Sequence, residues 1–181
     1  PWKQPSPNIP SVETAHVYPG TCLFEGTNIS EGRGTTRPFE IVGAPWIRAE
    51  ELRDVLSRLL LPGVVFSTVD FTPTFSTFEG EACRGVQLHV TDTEAFRPLH
   101  TGVYMIVAIK EHAPERFSWR PLWEDPSRSF VDRLAGGNEF RITVDGGADA
   151  EEAYAVLCRG AARFREARVN ALYYDYEDTG L

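Results

Sequence analysis

The chain is poor in cysteine and methionine, short of positive charge, and has no long apolar run. Its 181 residues include three cysteines, Cys22, Cys83 and Cys158. Three are too few for a disulfide framework, and their spacing matches no zinc site. They read as buried thiols that behave as small hydrophobes. A single Cys22–Cys83 bridge stays open. No stretch approaches the ~20 apolar residues that cross a bilayer. The longest, Val103 to Ile109, reads as a core segment, so no membrane span is expected. Lys and Arg number 18 against 26 Asp and Glu, a net charge of −8. Without a basic stripe, a phosphate-backbone ligand has no electrostatic footprint, and no nucleic-acid partner is expected. Internal repeats and low-complexity tracts are absent. No signal peptide is visible, and the only methionine is Met105. A chain that opens on Pro1 and Trp2 is therefore expected to be a piece of a longer protein.

What is present suits one α/β domain. A chain of this length buries roughly 70% of its extended surface on folding, enough for a real core. Four prolines within Pro1 to Pro10 predict an extended arm over residues 1–10, followed by an α/β domain over 11–181. Ser11 reads as the cap of a short helix that Tyr18, Pro19 and Gly20 break. Pro19 is also a fitting start for a second helical turn. Phe39 to Val42 is a short strand candidate. Over residues 49–60, Leu52, Val55, Leu56, Leu59 and Leu60 recur at helical spacing, and Pro62 and Gly63 stop the pattern. Val64 to Phe71 and Gly85 to Thr91 read as strands. Pro98 opens a helix to about Lys110, and a shorter one covers Ser129 to Leu134. Glu139 to Val144 reads as either a strand or a helical turn. Asp149 and Glu152 form a capping box for a last helix with Ala153, Tyr154, Leu157, Ala161 and Phe164 on one stripe. Leu172 to Tyr176 reads as an edge strand. The alternation predicts a small mixed sheet flanked by helices and preceded by the Pro-rich arm.

Two segments carry chemistry. The run Cys22 to Thr36 combines Gly26, Gly32 and Gly34 with Glu25, Glu31, Asn28, Arg33 and several hydroxyls, Thr35 among them. Glycines allow close backbone approach, and the polar groups supply many directed hydrogen bonds. That mixture suits a hydroxyl-rich ligand such as a sugar. The alternative is an irregular surface loop whose polar groups cap its own backbone. The run is not a phosphate loop or a dinucleotide fingerprint: no strand leads into Gly26, and no lysine follows the glycines. On the strand Gly85 to Thr91, alternation puts Val86, Leu88 and Val90 on one face and Gln87, His89 and Thr91 on the other. The polar face either lines a cleft or is solvated. Trp46, Trp119 and Trp123 are expected in packing, with stacking on sugar rings the alternative.

Several strings together resemble the NamZ family of exo-β-N-acetylmuramidases. They are Pro5 to Pro10; Tyr18 to Thr35, continuing through Pro38, Phe39 and Glu40; Phe71 to Phe75 with Cys83 to Asp92; and Ala95 to Pro98 with Thr101 and Gly102. They span roughly residues 1–110. A looser likeness continues through Phe130 to Gly136 and the closing helix. The resemblance implies the C-terminal half of a glycoside hydrolase that releases terminal N-acetylmuramic acid from the non-reducing ends of peptidoglycan fragments. It implies a Rossmann-like domain preceding this chain as partner, an interdomain cleft, and a principal catalytic carboxylate on that other domain. It also implies a helical Glu139 to Val144, no cofactor, and a periplasmic or secreted location; a homo-oligomer is compatible with it. On this reading Glu25 and Glu31 are the candidate catalytic carboxylates of this half. Asn28, Arg33, Thr35, Gln87 and His89 are the candidate substrate contacts, with Arg33 a partner for the lactyl carboxylate of muramic acid. The rival readings are a non-catalytic peptidoglycan-binding module and a structural dimerisation domain.

Overall fold

The computed structural model describes residues 1–173. Three strands make the sheet: β1 (Ile41–Ala44), β2 (Val64–Phe71) and β3 (Cys83–Val90). β3 is central, in the order β1-β3-β2, and both neighbours are antiparallel to it. The sheet is small and helix-flanked as expected, but antiparallel throughout rather than mixed. The reason is connectivity: β2 returns directly into β3 through the loop 72–82, with no helical crossover of the kind parallel pairing needs. Val42, Val86 and Leu88 point to one face and enter the core at 3% exposure or less.

The helices are α1 (Val12–Thr21), α2 (Ala49–Arg58), α3 (Pro98–His112), α4 (Phe130–Leu134), α5 (Glu139–Asp145), α6 (Ala150–Cys158) and α7 (Ala161–Arg168). α3 supplies the centre of the core through Val103, Met105, Ile106 and Ile109, and α2 adds Leu52 and Leu56. α1 crosses α3 at two glycines. A Cβ on Gly20 would sit 1.9 Å from the carbonyl oxygen of Pro98, and one on Gly102 would sit 2.4 Å from the carbonyl oxygen of Gly20. Only glycine permits this backbone approach.

Several expectations change. α1 does not break at Tyr18 but runs through Pro19 to Thr21. Its Ser11 cap forms as expected, accepting from the Thr14 amide. Val17 and Gly20, both buried, hold the last turn in place, which outweighs the hydrogen bond that Pro19 cannot donate. The segment after Asp149 is two helices, because Gly160 takes a left-handed φ of 88° between them; Phe164 is 67% exposed instead of buried. The cysteines are free, so the Cys22–Cys83 bridge is absent. Residues 1–10 hold a turn, with the Ile9 amide donating to the Ser6 carbonyl at 2.9 Å, rather than one continuous extension. Glu139 to Val144 is helical, with Phe140 and Val144 buried at i, i+4. Of the expected edge strand at 172–176, Leu172 and Tyr173 lie in no strand, and the rest falls outside the described residues.

Candidate functional site

α1 ends in a 3-10 turn, Cys22–Gly26, which delivers Glu25 to the start of the polar run. The run is then fastened at both ends. Asn28 donates its side-chain amide to the Arg116 carbonyl at 2.7 Å and accepts from the Ser118 amide at 2.9 Å. Ser30 exchanges two backbone hydrogen bonds with Gly43, at 2.9 and 3.0 Å, and so covers the free edge of β1. Gly32 adopts a φ of 80° against the Ile41 side chain and backbone. The Thr35 hydroxyl donates to the Gly32 carbonyl at 2.6 Å and accepts from the Arg37 amide at 3.1 Å. Asn28 and Thr35, expected as substrate contacts, are thus used inside the protein: one ties the run to residues 116–118 and the other closes its turn.

Three charges meet in this frame. Nη1 of Arg33 lies 2.8 Å from Oε2 of Glu25 and 3.1 Å from Oε1 of Glu31. The guanidinium lies over the Phe39 ring, 4.8 Å from its centroid, and Tyr18 meets the same ring edge-on at 4.8 Å. Phe39 holds a left-handed φ of 64° while fully buried, an uncommon state for a bulky residue. Its amide donates to the Glu31 carbonyl at 2.6 Å, which pins both the ring and the carboxylate-bearing backbone. Strain of this sort persists only where surrounding structure enforces it, and it concentrates at functional sites.

Burial divides the roles of the two carboxylates. The Glu31 side chain is 3% exposed, that of Glu25 17% and that of Arg33 27%. Arg33 and Glu25 are thus the accessible members of the cluster, and Glu31 is enclosed behind them, 3.1 Å from Arg33. Burial raises the Glu31 carboxyl above the usual carboxylate range, against the lowering effect of its backbone hydrogen bond and of Arg33. Burial opposes the charge on Arg33, but the hydrogen bonds and charges of Glu25 and Glu31 more than offset it, and its pKa rises. Cys22 is pushed up to about 11 by burial and then by the Glu25 charge. Tyr18 rises for the same first reason, so both stay neutral at physiological pH. Nε and Nη2 of Arg33 have no partner among the described residues. That open edge matches a carboxylate in bidentate geometry.

The sequence reading did not single out Tyr18, Phe39 or Glu40. Glu40 is a second buried carboxylate, 4% exposed. It accepts from the Thr14 hydroxyl at 2.7 Å and from Arg37 Nη1 at 2.9 Å, and it ties the far end of the run to α1. The i, i+3 spacing of Arg37 and Glu40 was the available signal.

Gln87 and His89 stand on the sheet face away from the core. Gln87 is the cross-strand partner of Ile41, against which Gly32 packs, so the polar run abuts that face. Gln87 is half-buried, and its amide has no partner among the described residues. His89 is exposed, with Nε2 2.7 Å from the Ser67 hydroxyl. Among the described residues no hydrogen bond or ion pair joins Gln87 or His89 to the Glu25–Arg33–Glu31 cluster. Trp119 packs against Phe117 and Phe140 and donates to Asp145 at 2.8 Å. Trp123 is 97% exposed, against the packing expected of it. An apolar groove between α2, α3 and α6, lined by Val55, Leu59, Tyr104 and Val107, lies away from the charged cluster. No group of three or more potential metal ligands occurs among the described residues, and no described helix is long and apolar enough to cross a membrane.

Residues 16–174 match the family described as exo-β-N-acetylmuramidase NamZ, C-terminal. The chain belongs to this family. The peptidoglycan β-N-acetylmuramidase NamZ of Bacillus subtilis (strain 168) is 44% identical over 174 residues, covering 96% of this chain and 41% of that protein. Two solved DUF1343 family proteins of Bacteroides fragilis NCTC 9343 share the fold. One has a TM-score of 0.82 at 26% identity, covering 96% of this chain and 45% of that one. The other has a TM-score of 0.71 at 27% identity, covering 96% and 44%. This NamZ-type C-terminal domain thus spans less than half the length of the relatives it matches, and the charged cluster lies within the matched region.

Proposed function

We propose that the full-length protein is an exo-acting β-N-acetylmuramidase. It releases terminal N-acetylmuramic acid from the non-reducing ends of peptidoglycan fragments, and this chain forms one wall of its cleft. The observation that carries the reading is Arg33: a half-buried guanidinium, fixed on one nitrogen by two carboxylates and on its face by Phe39, with its Nε–Nη2 edge unused. N-acetylmuramic acid differs from N-acetylglucosamine by a lactyl ether that ends in a carboxylate, and a bidentate arginine is the side chain suited to select it.

Glycoside hydrolysis needs one group to protonate the leaving oxygen and another to stabilise the oxocarbenium-like centre or activate water. A preceding Rossmann-like domain supplies the principal acid, and Glu25, the more accessible carboxylate here, is the partner this chain offers. Gln87, with its free amide beside Ile41, adds a hydrogen-bonding group for sugar hydroxyls, and His89 extends the same face outward. The enzyme acts where its substrate is, in the periplasm or outside the cell. The full-length protein should liberate the aglycone from a chromogenic β-N-acetylmuramide. From longer glycan fragments it should release only the terminal monosaccharide, read by mass spectrometry. Internal cleavage products, or no turnover of either substrate, would refute the reading.

A further inference from the structure

The charge sum at the cluster is unfavourable for the ligand just assigned to it. Glu25 and Glu31 contribute two negative charges against the single positive charge of Arg33. The next cation along the chain, Arg37, is already paired with Glu40 at 2.9 Å. Tyr18 on α1 and Cys22 on the 3-10 turn, whose titrations both feel Glu25 and Arg33, are neutral and lend no positive charge. A third carboxylate on the open edge of Arg33 would leave two net negative charges beside a Glu31 side chain that is only 3% exposed, where like charges interact strongly.

We infer that binding of a muramic acid carboxylate to Arg33 is coupled to uptake of one proton by Glu31. This rests on the reading that the cluster receives that carboxylate. Glu31 is the acceptor because it is the enclosed member, at 3% side-chain exposure against 17% for Glu25. It therefore has the least water to stabilise its charge once Arg33 is shared with a third carboxylate. Its carboxyl also already lies above the usual range through burial. The balance is simple: an O–H bond forms on Glu31, a solvent or buffer acid gives up the proton, and the occupied site returns to one net negative charge. Glu31 is a positioning residue in this scheme, holding Arg33 in both states and changing only its own protonation.

The test is calorimetric titration of N-acetylmuramic acid, and of N-acetylglucosamine as the sugar without the lactyl carboxylate, into the full-length protein. Titrations run in two buffers of different ionisation enthalpy, from mildly acidic to mildly alkaline pH. The expected result is uptake for N-acetylmuramic acid that rises toward one proton between the free-state and ligand-bound pKa of Glu31 and falls away on either side of that window, with none for N-acetylglucosamine. Affinity for the acid should fall about tenfold per pH unit in the range where uptake is complete. Glu31→Gln should bind without uptake. Glu25→Gln, a change at a more exposed position, should lower the uptake by removing one of the competing charges. Uptake that is absent at every pH, or that persists in Glu31→Gln, would overturn the inference while leaving the cleft assignment intact. Equal affinity for the two sugars, or no binding of either, would overturn both.

Discussion

Replacing Arg33 by alanine removes the one cation paired with Glu31 among the described residues and tests whether the cluster is a true three-charge unit. Breaking a buried pair by deleting one partner costs about 3–5 kcal/mol, because an uncompensated charge stays behind. Two features place this site at the low end. Glu25 is 17% exposed and can turn toward water. Glu31 can take up a proton, which limits the cost of isolating it. The expected loss is therefore roughly 3 kcal/mol at neutral pH, shrinking toward acid as Glu31 neutralises. For a chain of this size that corresponds to a fall of about 6–12 °C in Tm. Urea denaturation at a series of pH values reads both the size and the slope. In a double-mutant cycle, adding Glu31→Gln to Arg33→Ala should recover part of the loss, since the stranded charge is gone. A loss under about 1 kcal/mol at neutral pH, the value of an exposed pair, would refute the reasoning. So would strictly additive single changes.

Other consequences follow from the same geometry. Glu31 has a folded pKa raised by burial, so over the range between its unfolded and folded values the native state holds the proton more tightly. Its contribution to stability should therefore fall as pH rises through the folded value. Glu31→Gln should flatten that fall, as measured by denaturation midpoints against pH. Gly20→Ala would drive a Cβ to 1.9 Å from the Pro98 carbonyl; forcing α1 and α3 apart should cost about 3 kcal/mol, and thermal melts that change by less than a degree would contradict the crossing. Asn28→Ala removes two hydrogen bonds to the main chain of Arg116 and Ser118; roughly 2 kcal/mol should be lost, with faster amide exchange at Ser118.

Where sequence patterns depend on local periodicity, the elements were legible. Val64–Phe71 came out with its bounds intact, and α2 and α3 within two residues or so, because β-branched runs and i, i+3, i+4 leucines declare themselves. The misreadings have a shared cause in tertiary packing. Pro19 looked like a stop, yet α1 passes through it because Val17 and Gly20 are buried. Glu139 to Val144 is no misreading: its residues left strand and helical turn both open, and the buried pair Phe140 and Val144 on one helical face decides for the helix that the resemblance implied. Gly160 looked like an interior helix residue, but it turns left-handed and breaks the stripe that was to bury Phe164. The antiparallel order of the sheet was hidden because helix–strand alternation suggests crossovers, whereas loop 72–82 makes a direct return.

The candidate site was legible in composition and less so in role. Glu25, Glu31 and Arg33 meet, as the density of polar groups near residue 30 suggested. Which of the five expected substrate contacts spend their polar atoms on the backbone could not be read from residue type: Asn28 and Thr35 do, and Gln87 does not. Burial of Glu40 and Phe39 involves α1 folding back over the run, through Thr14 and Tyr18, and no local pattern announces that contact.

The most direct measurement is the preference of the full-length protein, as the ratio of kcat/KM for matched β-N-acetylmuramide and β-N-acetylglucosaminide chromogens, in wild type and in Arg33→Lys. The lysine keeps the charge but not the two-point edge. Loss of a charge-assisted pair worth about 2 kcal/mol should cut the preference roughly 30-fold, by lowering the muramide rate alone. A preference that survives the substitution unchanged would contradict the claim that this arginine reads the lactyl carboxylate.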